Sequence, residues 1–270
     1  MSDQPRYGER REVPPPTTAP APQAARAPRG PSPIFLALVA LAVGSGWALW
    51  VGLGASGIIA FVFVASAWVV SLCLHEFAHA LVAYHYGDHS VVYRGYLTLD
   101  PRKYTHIVLS LVLPLVFVLL GGIGLPGGAV FINRGALRTR FARSAVSAAG
   151  PLTNIVIAVL LAIALGLREG SSPFWAAVAF LLFLQVTAAV LNLLPVPGLD
   201  GFGIVEPYLP PRILAGAAQI APFAIIGIFA LLWIPQINLA FFTIIQGIMS
   251  LLGVPPILVG SGYALFQFWR

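Results

Sequence analysis

From Pro33 onward the chain alternates long apolar runs with short polar connections. The apolar runs cover residues 33–53, 57–86, 107–125, 144–167, 173–194, 213–233 and 237–256. Each is close to the roughly 20 residues that carry a helix across about 30 Å of hydrocarbon, and none shows the short alternating segments of a barrel strand. The pattern predicts an all-α polytopic membrane protein with about six transmembrane helices. No connection after residue 32 is long enough to fold as a separate domain, and no internal repeat of the inverted-transporter kind is visible. Residues 33–270 therefore read as a single transmembrane domain.

Residues 1–32 differ in kind. They contain eight prolines and five arginines (Arg6, Arg10, Arg11, Arg26, Arg29) and no periodic apolar pattern. Such a segment has too little apolar surface to offset the entropy of ordering, so a disordered tail is expected. The apolar run that follows is long and lacks a small-residue cleavage site, which argues against a secretory signal and for a cytoplasmic tail. Composition agrees with the membrane reading: 59% of residues are hydrophobic and 9% charged, with a mean hydropathy of +0.89. The net charge of +6 resides in bases that flank apolar spans. Orientation by the positive-inside effect accounts for them, and no nucleic-acid partner is expected. The lone cysteine, Cys73, excludes an intrachain disulfide and any multi-thiolate metal site, and reads as a small buried hydrophobe.

Charge also constrains topology. With the tail inside, a first helix outward and a second returning place the linker 87–106, with Arg94, Arg102 and Lys103, inside. If 107–125 then crossed fully, Arg134, Arg138, Arg140 and Arg143 would fall outside. That segment also holds Pro114 and "GGIGLPGG" at 121–128, which suit irregular backbone shielded by protein. A re-entrant or irregular segment near 107–130 is the expectation.

The second apolar run contains His75, Glu76 and His79 in the pattern H-E-x-x-H. On a helix the two histidines lie about 40° apart, one turn above the other, with Glu76 on the flank. One face thus offers two imidazoles to a single metal, zinc by preference, and an adjacent carboxylate suited to general-base work. An ionised glutamate in a membrane helix costs about 2.5 to 3.5 kcal/mol, so such residues usually mark function.

A catalytic zinc normally takes three protein ligands, so a third must come from elsewhere. His85, His89 and His106 sit at or beyond the helix end, where interfacial roles are the default; Asp88, Asp100, Glu169 and Asp200 are the candidate carboxylates. Asp200 stands out because of "LNLLPVPGLDG" (191–201), in which Pro195 and Pro197 stop a helix and Gly198 and Gly201 permit a tight turn, so its carboxylate is expected on an unwound segment at the membrane edge. The segment "SAAGPLTN" (147–154) reads as the opening of the helix 144–167, with Gly150 for close approach, Pro151 in a first turn and Asn154 as a polar group in an apolar run.

Together "HEFAH" at 75–79, "GPLTN" at 150–154 and "NLLPVPGLDG" at 192–201 resemble the motifs of the site-2 protease family of intramembrane zinc metalloproteases. The likeness spans about residues 57–201 and fits a compact form without PDZ or CBS domains. It implies a zinc endopeptidase that cuts a peptide bond in or near transmembrane segments of membrane protein substrates. It further implies zinc ligands His75, His79 and Asp200, Glu76 as base for the attacking water, and Asn192 and Asn154 as substrate-binding groups. By the same resemblance, "GGAVFI" (127–132) is an edge against which an extended substrate pairs. The expected partners are a transmembrane protein substrate and the lipid bilayer. The expected location is a prokaryotic plasma membrane, multi-pass, with the N-terminus in the cytoplasm; oligomeric state is left open. Shared ligation by His75 and Asp200 also requires an even number of crossings between them, which agrees with re-entrance at 107–125. Two alternatives stand beside this reading: a membrane zinc-binding or zinc-transport protein, and a catalytically inactive relative of the family.

Overall fold

The computed structural model describes residues 30–104 and 130–270, and the described residues are helical without strands. Residues 1–29 of the tail expected at 1–32, the re-entrant segment expected at 107–125 and residues 127–129 of the proposed edge lie outside the described residues. Four helices are long and apolar enough to cross a bilayer, and two bent helix pairs raise the number to as many as six. The all-α polytopic architecture expected from the apolar pattern is therefore the one observed.

Helix α1 (Pro33–Trp50) starts at Ser32, whose hydroxyl accepts from the Phe35 amide, with Pro33 in the first turn. It pairs with α2 (Ser56–His85); a β-carbon on Gly46 would lie 3.0 Å from the Phe63 ring, so the absence of a side chain there allows the close crossing. After α2 come the single turn α3 (Ser90–Tyr93) and two 3-10 turns, Tyr96–Thr98 and Pro101–Lys103. The Ser32 amide donates to the Thr98 carbonyl at 2.7 Å, which ties the start of α1 to the connection at the end of α2. Tyr104 donates its hydroxyl to the Cys73 carbonyl at 3.0 Å. Val130 supplies a backbone hydrogen bond to Glu76. Both residues therefore sit against the same turn of α2. Cys73 itself is fully buried, as its apolar surroundings suggest.

Helix α4 (Arg140–Gly166) begins earlier than the apolar pattern indicates. Thr139 caps it by accepting from the Ala142 amide at 3.0 Å, so the polar stretch with Arg140 and Arg143 forms the first turns. Pro151 consequently lies inside the helix rather than in its opening turn, a correction to the sequence reading. Helix α5 (Pro173–Asn192) is apolar on all sides and mostly buried, as expected for the centre of a bundle. Its main neighbours are α2, α4 and the C-terminal helix.

The chain then unwinds through Pro195 and Pro197 and re-forms as α6 (Asp200–Val205), α7 (Pro211–Ile220) and α8 (Ala224–Leu232). Helix α9 (Pro235–Leu251) is followed by a bend of 113° into α10 (Pro256–Phe266). The apolar run at 237–256 therefore does not end the fold. Gly262 of α10 packs against the Ala176 carbonyl, leaving no room for a β-carbon, and Phe266 is fully buried.

Candidate metal centre

Three helices and one turn converge on a small polar centre. His75 and His79 project from α2 on one face, as their spacing requires, and both are buried. Asp200 opens α6 rather than resting on unwound backbone, and its side chain is 23% exposed. The preceding turn is tight: Gly198 has φ +97°, and a β-carbon on Gly201 would collide with the Leu193 carbonyl. This fold-back brings the carboxylate from the end of α5 to the histidines.

The donor atoms form a near-equilateral triangle. His75 Nε2 and His79 Nε2 are 3.1 Å apart. Asp200 Oδ2 is 3.2 Å from the first and 3.3 Å from the second. Ligands at 2.0–2.1 Å around a tetrahedral zinc stand about 3.3 to 3.4 Å apart, so the triangle matches one face of such a tetrahedron. The three residues form a group able to hold a metal ion.

The histidines are oriented from behind. His79 Nδ1 is 2.6 Å from the Val146 carbonyl, which can only accept, so Nδ1 carries the proton and Nε2 presents its lone pair to the centre. His75 Nδ1 is 2.5 Å from Asn154 Oδ1. Gly150, on α4, completes the cradle: a β-carbon there would overlap both His75 Nε2 and His79 Nε2. The glycine therefore clears the space in front of the donors, and Pro151 beside it lies on the same helix turn.

Glu76 is 1% exposed, with Oε1 4.0 Å from His75 Nε2. Its Oε2 has no hydrogen-bond partner among the described residues, although it is buried. A buried carboxylate oxygen without a partner is costly, and the other oxygen of this carboxyl lies beside the triangle. A cavity of about 320 Å³ opens beside Asp200, lined also by Ser147, Phe202 and Ala217, with the Arg134–Glu206 ion pair contributing to its wall.

Of the residues singled out in the sequence, the structure brings together His75, Glu76, His79, Asp200 and Asn154. Asn154 is engaged with His75 through its carbonyl oxygen. Asn192 is buried as the last residue of α5 and is not among the groups hydrogen-bonded to the cluster. The other candidate carboxylates are occupied elsewhere or solvated. Asp88 accepts from Ser90 and Asn133, Asp100 pairs with Arg102, and Glu169 is exposed. His85 and His89 are exposed, and His106 lies outside the described residues. Gln185 escaped the sequence reading: it is fully buried on α5 and accepts from Asn154 Nδ2 at 3.0 Å. The available signal was an amide in a run otherwise almost wholly apolar.

Comparison with known proteins places the chain in a family. No family model matches the chain, and no solved structure matches it. Curated relatives do, each bearing the name "Putative zinc metalloprotease". Rip2 of Mycobacterium tuberculosis is 46% identical over 247 residues, covering 88% of this chain and 94% of the relative. Rip2 of Mycolicibacterium smegmatis is 45% identical over 248 residues, with the same coverage of 88% and 94%. YwhC of Bacillus subtilis is 31% identical over 186 residues, 63% of this chain and 79% of the relative. The alignment with Rip2 runs along nearly the whole of both chains, and this protein belongs to the site-2-protease-like family of zinc metalloproteases that includes Rip2 and YwhC.

Proposed function

We propose that this protein is a zinc-dependent intramembrane endopeptidase that hydrolyses a peptide bond in or near a transmembrane segment of a membrane protein substrate. The observation that carries the proposal is the triangle of His75, His79 and Asp200 donors beside the buried Glu76 carboxylate, inside a bundle of helices apolar enough to span a bilayer. His75, His79 and Asp200 would hold the zinc. When bound, zinc supplies a Lewis acid that polarises a carbonyl and lowers the pKa of water.

The chain's own groups do the remainder. Glu76, with Oε2 free, takes the proton of the attacking water and passes it to the leaving amine as the peptide bond breaks. Helical backbone hides its carbonyls, so the substrate must unwind locally before it can be cut. Val130, which reaches Glu76 through its backbone, and the following residues to Ile132 would pair with an extended substrate. Asn192 would hold the unwound substrate. Asn154 acts through His75, which modifies the substrate-binding role implied by resemblance. We further propose a multi-pass arrangement in a prokaryotic plasma membrane with the N-terminus in the cytoplasm.

The deciding experiment is Glu76→Gln in the full chain, with cleavage of a transmembrane reporter and bound zinc measured together. Retained zinc with cleavage lost is expected. Undiminished cleavage, or zinc flux across vesicles that survives the substitution, would reject the proteolytic mechanism.

A further inference from the structure

Behind His75 runs a continuous line of buried hydrogen bonds that crosses to α4 and α5 and returns to a backbone carbonyl of α2, the helix that carries His75. The Ser71 hydroxyl donates to the Trp68 carbonyl at 2.7 Å. Gln185 Nε2 donates to Ser71 Oγ at 2.8 Å, and Asn154 Nδ2 donates to Gln185 Oε1 at 3.0 Å. His75 Nδ1 meets Asn154 Oδ1 at 2.5 Å. Ser71, His75, Asn154 and Gln185 are all buried, and Gln185 has no exposed surface at all.

The line has a direction. A backbone carbonyl can only accept, so the Ser71 hydroxyl must donate to Trp68, leaving its oxygen to accept from Gln185. Gln185 must therefore turn its NH2 group to Ser71 and its carbonyl to Asn154. Asn154 in turn must present its NH2 to Gln185 and its carbonyl to His75. Only the tautomer of His75 with the proton on Nδ1 satisfies that carbonyl, and its Nε2 then faces His79 and Asp200 as a lone pair. Neither amide can flip without leaving a donor facing a donor in a buried, low-dielectric site.

Resting on the reading that His75, His79 and Asp200 hold zinc, we propose that Gln185 is a positioning residue for the metal centre. It locks the Asn154 amide, and through it the metal-binding tautomer of His75, by way of the Ser71–Trp68 anchor. Packing alone does not require a glutamine here: the rest of the buried face of α5 is almost entirely apolar, and a membrane helix carries an intramembrane amide at a cost. His79 obtains the same orientation from the Val146 carbonyl and needs no such line.

The test uses the purified full chain in lipid nanodiscs. Zinc affinity is measured by chelator competition, and the absorption spectrum of the cobalt-substituted protein is recorded. Gln185→Leu and Asn154→Ala should each weaken zinc by about 10-fold or more and alter the cobalt spectrum, the range typical of lost outer hydrogen bonds. The double variant should be no weaker than Asn154→Ala alone, because Gln185 acts through Asn154. Gln185→Glu, protonated when buried, can still accept from Asn154 and donate to Ser71, and should restore affinity. Wild-type affinity in Gln185→Leu, or additive losses in the double variant, would overturn the proposal while leaving the zinc site standing. Failure of Gln185→Glu to rescue a folded protein would also overturn it. A wild-type chain that binds no zinc would overturn the metalloprotease reading together with this one.

Discussion

His79 donates its Nδ1–H to the carbonyl of Val146 on α4 at 2.6 Å, and one turn further along α4 Gly150 faces the Nε2 of that ring. Helix α4 thus holds the imidazole from behind at one turn and makes room for its metal-binding edge at the next. Gly150→Ala should therefore leave the helix intact, since alanine is the better helix former, yet reduce zinc affinity by at least about 10-fold, as expected when a donor is displaced. Gly44→Ala in α1, where nothing lies within 4 Å of the added carbon, is the matched control and should bind zinc normally. Chelator competition on both variants checks the difference.

The connection that leads to α4 is held by a buried carboxylate. Asp88 accepts from the Ser90 amide and hydroxyl through Oδ1, and from the Asn133 amide at 2.7 Å through Oδ2. Asp88→Ala strands the Asn133 donor, so it should destabilise the protein by about 1 to 3 kcal/mol. Thermal unfolding in detergent, compared with Asp88→Asn, which keeps one acceptor, measures this.

The ion pair between Arg134 and Glu206 sits in the cavity wall, and the Arg134 side chain is 59% exposed. Solvent screening limits such a pair, so Arg134→Ala should change stability by no more than about 1 kcal/mol and lose even that at high salt. A larger, salt-independent loss in a denaturation series would contradict this ranking of Arg134 below Asp88.

Asp100 provides a pH-dependent contribution. The Arg102 side chain hydrogen-bonded to it holds its carboxyl below the ordinary carboxylate value. The folded state thus favours the charged form. Its stabilisation is complete above the unfolded value of about 3.9 and is lost as pH falls through the lower folded value. Asp100→Asn should therefore be less stable than wild type near neutral pH, with the gap closing as acid is added below about pH 4. Parallel thermal melts across that range check the sign.

Much of this protein was legible in its sequence because the governing physics is local. Apolar run length gives membrane helices, since a bilayer demands that backbone groups be satisfied within each segment. Helical periodicity alone sets His75, Glu76 and His79 on neighbouring faces. Pro195, Pro197, Gly198 and Gly201 announce a turn wherever they occur. Tertiary structure decided what depends on contacts between distant segments. The start of α4 at Thr139 moved Pro151 into a helix interior, because a cap and two arginines extend a helix that hydropathy alone begins later. The return of α10 against α5 depends on Gly262 meeting Ala176, a fit that no local pattern announces. The convergence of Asp200 with the histidines, and the buried line from Trp68 through Gln185 to His75, exist only once α2, α4 and α5 are packed together. Hydrogen bonds across helices are fixed by that packing, and a single strand of sequence carries no record of which amide will face which ring.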